Sequence, residues 1–115
     1  MEKPLFFSFF DMPYHFRSEK VSSRSIAGKE LMLVEHRVKK GHITAKETHE
    51  NEQLTLVLSG SLKFTIENHS YFLKKGDALL IPSFIPHDCE VLEDSALIEI
   101  FSPPRKEWIS SLTSL

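Results

Sequence analysis

The sequence predicts an all-β sandwich or barrel. Three observations carry that reading. Apolar residues recur with a period of 2 rather than 3.6, the apolar runs are short, and turn residues separate them at intervals of about 8–12 residues. In chain order, Phe6 to Phe10 and Arg24-Ser25-Ile26 predict edge strands. Leu31 to Val38 and Leu54 to Leu58 are rich in residues that suit a pleated, half-buried surface. Leu62-Lys63-Phe64-Thr65-Ile66-Glu67 alternates strictly between apolar and polar, the pattern of a strand with one wet face. Asn68-His69-Ser70 turns the chain, and Tyr71-Phe72-Leu73 starts the return strand. After the turn Lys75-Gly76-Asp77, the run Ala78-Leu79-Leu80-Ile81 ends at Pro82 and predicts a strand buried on both faces. Val91-Leu92 and Ala96 to Phe101 flank the turn Glu93-Asp94-Ser95 and supply two more strands. Pro103-Pro104 stops the last of them, and Arg105 to Leu112 predicts a short helix with Trp108, Ile109 and Leu112 on one side.

A chain of 115 residues makes one domain, and 41% hydrophobic content is enough for a packed core. We expect residues 1–20 to form an aromatic arm and residues 21–115 the barrel. Five phenylalanines fall in the first 16 residues, too many to leave in water. They predict a cover for the barrel or for a neighbouring subunit, and hence a homodimer. The net charge of -2 with scattered Lys and Arg argues against nucleic acid as a partner. The apolar run at Leu5 to Phe10 is too short to span a membrane, and it lacks a signal peptide's longer apolar core and cleavage site. The single cysteine, Cys89, excludes an intramolecular disulfide and fits a reducing compartment. The expectation is a soluble, cytoplasmic protein with no membrane partner.

The densest information lies between Gly41 and His87. Gly41 is followed after five residues by Glu47, then after one by His49, after three by Gln53 and after six by Gly60. Gly76 is followed after five residues by Pro82 and after four more by His87. Four side chains able to bind metal are thus framed by turn residues. Glu47 and His49 share strand parity and face one side. Gln53 has the same parity but follows the break Glu50-Asn51-Glu52, so parity alone does not place it. His87 lies on a separate strand that a barrel can bring opposite. Two imidazoles, a carboxylate and an amide oxygen without a thiolate suit Mn, Fe, Co, Ni or Zn. With Glu47 as the one charged ligand, a divalent ion leaves a centre of about +1 that attracts a small anionic substrate. His15, His36, His42 and His69 fall in turns or beside charged residues and read as solvated. Cys89 shares the parity of His87 and reads as a small buried hydrophobe. Glu50, Glu52 and Asp88 have the opposite parity and read as rim residues.

This spacing resembles the two cupin motifs, the first a glycine, His-x-His, Glu and glycine, the second a Gly…Pro…His. Glu47 stands where the first motif has its first His, and Gln53 where it has Glu. Phe84 and Val91 replace the last Gly and Asn of the second. The resemblance runs from about Arg24 to Trp108 and implies a double-stranded β-helix, or jelly roll, with a divalent metal held by Glu47, His49, Gln53 and His87. Within the superfamily it looks most like the small cupins that open unsaturated uronates released from pectin or alginate. The elements that carry this are His49 to Gln53, Val57-Leu58-Ser59-Gly60, Pro82 to His87, and Phe101-Ser102-Pro103-Pro104-Arg105. In that group a Gln at position 53 is usual, and an acid, a Phe and an Arg line the substrate pocket. By position these are Glu99, Phe101 and Arg105, which implies that Glu99 and Arg105 are catalytic and that Phe101 and Arg105 bind substrate. Arg105 offers a bidentate clamp for a carboxylate, and Glu99 could act as general acid or base if burial raised its pKa. Two other functions fit the same residues: an Fe(II) dioxygenase-like cupin built on Glu47, His49 and His87, and a barrel that binds a small molecule without catalysis.

Overall fold

The computed structural model describes residues 3–108. Ten strands are present among them: β1 His15–Ser18, β2 Val21–Ala27, β3 Met32–Val38, β4 Ile43–Glu47, β5 Glu52–Ser59, β6 Ser61–Ile66, β7 His69–Lys74, β8 Ala78–Ile81, β9 His87–Val91 and β10 Ser95–Ser102. They form a six-stranded sheet of order β1-β2-β3-β10-β5-β8 and a four-stranded sheet of order β4-β9-β6-β7. The pairs β3 with β10, β4 with β9, β5 with β8 and β6 with β7 nest inside one another and are all antiparallel. One long hairpin folded over itself gives this nesting, which is the jelly roll expected from the sequence.

The inner faces of the two sheets pack on each other. Val38, Val57, Ile81 and Leu97 from the larger sheet meet Leu62, Phe64, Leu73 and Val91 from the smaller. Met32, Val34 and Phe101 form a second cluster, with Trp108 packed against it. Between the two clusters the larger sheet turns a polar row inward: His36, Gln53, Thr55 and Glu99, all buried. That row, together with His87 from the opposite sheet, sets the position of the site.

Three expectations are corrected. Phe6 to Phe10 forms no strand; it runs into a 3-10 turn at Phe9–Asp11, and β1 is the edge instead. Arg24 explains why. Its guanidinium takes the carbonyls of Phe10 and Met12 at 2.9 and 3.0 Å and lies over the rings of Phe9, Phe10 and Tyr14, so the arm's carbonyls go to Arg24 rather than to a ladder. Arg24-Ser25-Ile26 is likewise no edge, since β2 lies between β1 and β3. The run Ala78 to Ile81 is not buried on both faces. Among the described residues it is the far edge strand, paired only with β5, and Leu80 is 57% exposed. The helix expected from Arg105 to Leu112 begins at Lys106, and its part beyond Trp108 lies outside the described residues.

The hairpin between β6 and β7 turns through Glu67 and Asn68, both with positive φ, as a two-residue loop of primed type requires. Gly60, between β5 and β6, has φ of 86°, and a Cβ there would overlap the Ser95 hydroxyl and the Asp94 carbonyl. Gly60→Ala is therefore expected to destabilise the fold by about 1–3 kcal/mol, read as a lowered midpoint in urea denaturation.

Candidate metal centre and its cavity

β4 and β9 pair with Glu47 opposite His87, so the pairing register alone brings these two together. His49 lies in the loop after β4, which is tied down where its carbonyl accepts the Phe84 N–H at 2.8 Å. Phe84 adopts φ of 64°, a left-handed backbone at the place where the second motif carries glycine. The imidazoles of His49 and His87 meet edge to face, 4.9 Å between centroids. One ligand atom from each of Glu47, His49 and His87 lies within 4.8 Å of the others. Gln53, which parity left open, joins them: its Oε1 is 3.2 Å from His49 Nε2. All four residues named from the sequence converge.

Beside this cluster lies a cavity of about 290 Å³, walled in part by Glu47, Gln53, His87, Glu99 and Arg105. That is the low end of small-molecule pockets, which run from about 300 to 1,000 Å³, and suits a ligand of monosaccharide size. Glu99 is buried at the cavity wall. Its Oε1 accepts from His36 Nε2 at 3.2 Å, and its Oε2 accepts from Gln53 Nε2 and Thr55 Oγ1 at 2.8 and 2.6 Å. The condition that burial raise its pKa is not met. Burial does push the carboxyl up, but the His36 and Thr55 hydrogen bonds and the Arg105 charge outweigh it and hold the group below its ordinary value. Near neutral pH Glu99 is therefore a carboxylate, with no proton to donate. Phe101 lies behind the wall: it is fully buried against Met32 and Val34 and meets His49 and Trp108 edge-on.

Sequence reasoning missed His36. It is buried, not solvated: its ring lines the cavity, the Ser23 hydroxyl donates to its Nδ1 at 2.6 Å, and its Nε2 faces Glu99. The signal was present, because His36 has the parity of Met32, Val34 and Val38, all inward-facing. His42 also lines the cavity rather than standing in solvent, and burial lowers its pKa.

The family model for the cupin domain, Cupin_2, matches residues 34–101. The chain belongs to the cupin family. Among solved structures it is similar to KdgF from Halomonas sp., with a TM-score of 0.85 and 25% identity over 92% of this chain and 99% of that one. It is also similar in fold to an RmlC-like cupin from Shewanella frigidimarina, with a TM-score of 0.82 and 20% identity over 93% and 96% of the two chains. Bacillus subtilis oxalate decarboxylase, a protein with Mn(II) centres, shares the fold at a TM-score of 0.73 and 24% identity, over 88% of this chain and 30% of its own. Comparison with curated proteins finds no match. Among the described residues of this cupin, no helix is long and apolar enough to cross a membrane.

The hydrogen bonds show what the cluster asks for. His49 Nδ1 faces the Asn51 carbonyl at 3.0 Å and His87 Nδ1 faces the Ile85 carbonyl at 2.8 Å. A carbonyl only accepts, so both Nδ1 atoms carry hydrogen, and in the neutral rings both Nε2 atoms hold lone pairs. Gln53 Nε2 donates to Glu99, which fixes Gln53 Oε1 towards His49 Nε2. Two acceptors therefore face each other at 3.2 Å. His87 Nε2 is buried without a hydrogen-bond partner, and its nearest acidic oxygen, on Glu47, is 3.5 Å away. Lone pairs that converge in this way call for a cation, either a proton or a metal ion. Imidazole Nδ1–H groups that donate to backbone carbonyls are the usual support of metal-binding histidines. Glu47 is ready for the same role: His87, 3.5 Å away, lowers its pKa, burial opposes, and Arg105 adds to the lowering, down to about 2. The four donors fit a divalent transition metal.

Cys89 faces the same cavity, but burial pushes its thiol up to about 12. At pH 8 only about one thiol in 10⁴ is then ionised. We expect no reaction with a disulfide reagent such as DTNB at that pH in the folded protein and full labelling after denaturation.

Proposed function

We propose that this cupin binds a divalent transition metal through Glu47, His49, Gln53 and His87, and that it opens the ring of a small unsaturated uronate. The observation that carries the proposal is the convergence of His49 Nε2, His87 Nε2, Glu47 Oε1 and Gln53 Oε1, with both Nδ1 atoms turned to backbone carbonyls. The bound metal would supply Lewis acidity and positive charge for an anionic substrate. Arg105 clamps the substrate carboxylate, and its position is held by Trp108 and Phe101, whose ring centroids lie 4.5 and 5.5 Å from its Cζ. Glu99 acts as the base. Three of the roughly four acceptor sites of its carboxylate are used, and the remaining one is on Oε1. Glu99 removes the proton of the anomeric hydroxyl as the bond from C1 to the ring oxygen breaks. The released enolate takes a proton at C4, so the linear keto-aldehyde is an isomer of the substrate and no redox partner is needed.

Elemental analysis of the purified protein and loss of the 4,5-unsaturation absorbance of an unsaturated monouronate test the two halves of the proposal. Metal with turnover supports both. Metal with oxygen uptake on an organic acid and no uronate turnover would favour a dioxygenase. Ligand binding without metal would leave a non-catalytic barrel.

The homodimer belongs to the same proposal. Leu80, Leu54, Ile100 and Leu33 follow one another across β8, β5, β10 and β3 on the outer face of the larger sheet. Phe6 on the arm is 90% exposed. A second copy would cover both. Sedimentation should give a dimer, and Leu54→Glu with Ile100→Glu should give a monomer.

A further inference from the structure

The Glu47 carboxylate has a competitor for any metal, and it is Arg105. One oxygen, Glu47 Oε1, lies 3.3 Å from Arg105 Nη1, 3.5 Å from His87 Nε2 and 3.8 Å from His49 Nε2. The guanidinium thus occupies the carboxylate oxygen that the imidazoles also face. It does not depend on Glu47 for its place. Its Nε donates to Glu107 at 2.7 Å, and its plane lies over the Trp108 and Phe101 rings. A guanidinium keeps its charge at every accessible pH, so this competition cannot be relieved by losing a proton. A neutral imidazole at position 47 would offer a guanidinium no anionic acceptor. The competition is a consequence of having Glu there.

We infer that Arg105 is shared between Glu47 and the anionic ligand, so that metal and anion bind with positive coupling through this one side chain. The inference rests on the metal-binding reading above. In the free protein Arg105 neutralises Glu47 and weakens its hold on a cation. A ligand carboxylate that draws the guanidinium to itself frees Glu47 for the metal. By reciprocity, a metal on Glu47 frees Arg105 for the ligand by the same factor. The site would then be fully assembled only when both are present.

Calorimetric titration with Zn²⁺ or Mn²⁺ alone, in the absence of any anionic ligand, tests this. The proteins are the wild type, Arg105→Met, Glu47→Gln and the double variant, with Arg105→Gln as a second replacement should Arg105→Met fold poorly. Removing the guanidinium is expected to tighten metal binding by about five- to tenfold. In the Glu47→Gln background the same replacement is expected to change affinity less than twofold, because no carboxylate is left to contest. Arg105→Lys, which keeps the charge, is expected to behave as wild type. Equal or weaker metal binding in Arg105→Met, or the same gain in the Glu47→Gln background, overturns the inference and leaves metal binding intact. Absence of binding in all the proteins overturns it together with the metal reading.

Discussion

Protein carrying His49→Ala and His87→Ala will purify without transition metal and will bind none on incubation, whereas the wild type will hold one equivalent. The effect is expected to be large because the two imidazoles supply both nitrogens of the cluster, and Glu47 and Gln53 alone are two oxygen donors at a partly open cavity. Loss of a single supporting group around a metal commonly costs about 10–100-fold in affinity, and loss of two direct ligands costs more. The protein should still fold, since His49 and His87 lie outside both apolar clusters. Elemental analysis and thermal unfolding of wild type and double variant decide the matter. Metal retained by the folded double variant would remove these residues from the ligand set.

The pH dependence of the wild type follows from the same groups. Burial pushes the His87 pKa down, but Glu47 and the Ile85 carbonyl outweigh it, and the net shift is upward from 6.5. A raised histidine pKa contributes stability to the metal-free protein that is complete below about 6.5 and is lost as pH rises through the higher folded value. Glu47 acts at the other end. Its pKa is lowered from 4.5 to about 2, so its contribution is present above 4.5 and is lost as pH falls towards 2. The metal-free pair is thus most stabilising in mildly acidic solution. Metal binding has the opposite trend, because it requires the His87 nitrogen unprotonated. The rise in melting temperature on adding metal should therefore be large above neutrality and should vanish near pH 5. A metal-induced rise that is the same at pH 5 and pH 8 would contradict this account.

The turn residues were the most legible part of the sequence. Gly41, Gly60 and Gly76 all have φ near 90°, and their spacing pointed to the jelly roll and to the metal cluster between them. The shared parity of Cys89 and His87 matches their common place on the cavity wall. What parity could not convey was coverage of the outer face. Leu54, Leu56 and Leu80 alternate with buried residues and would be polar on an ordinary wet sheet, so the run Ala78 to Ile81 looked buried on both sides. Glu35 and Arg24 show the converse. Both are charged and outward-facing, yet they are buried, because their 2.6 Å ion pair lies beneath Tyr14 and the arm. His36 between Glu35 and Arg37 was read from its charged neighbours when its inward-facing companions two residues away were the better guide.

Glu99→Ala is expected to be the most damaging single change in the cavity. The carboxylate is the common acceptor for His36, Gln53 and Thr55, and its removal leaves three buried donors facing a void. A buried donor left without its acceptor costs about 1–3 kcal/mol, so three of them are a large part of the stability of a domain this size. Poor activity of Glu99→Ala would therefore say little about chemistry. Glu99→Gln separates the two roles. The amide keeps the shape and one acceptor oxygen. If that oxygen stays with Thr55 and Gln53, the new NH₂ group faces His36, whose ring can shift its hydrogen to Nδ1 and accept. Ser23 then becomes the acceptor of that hydrogen, as a hydroxyl can. The network survives at a cost of about 1–3 kcal/mol. The base does not survive, since an amide takes no proton near neutral pH. On an unsaturated uronate, Glu99→Gln should lower kcat by about 10²–10⁴-fold with little change in KM. A folded Glu99→Gln protein with unimpaired kcat would show that Glu99 only braces Gln53 and His36. The proton would then have to leave through another titratable group on the cavity wall, such as His36, whose Nε2 is 3.2 Å from Glu99.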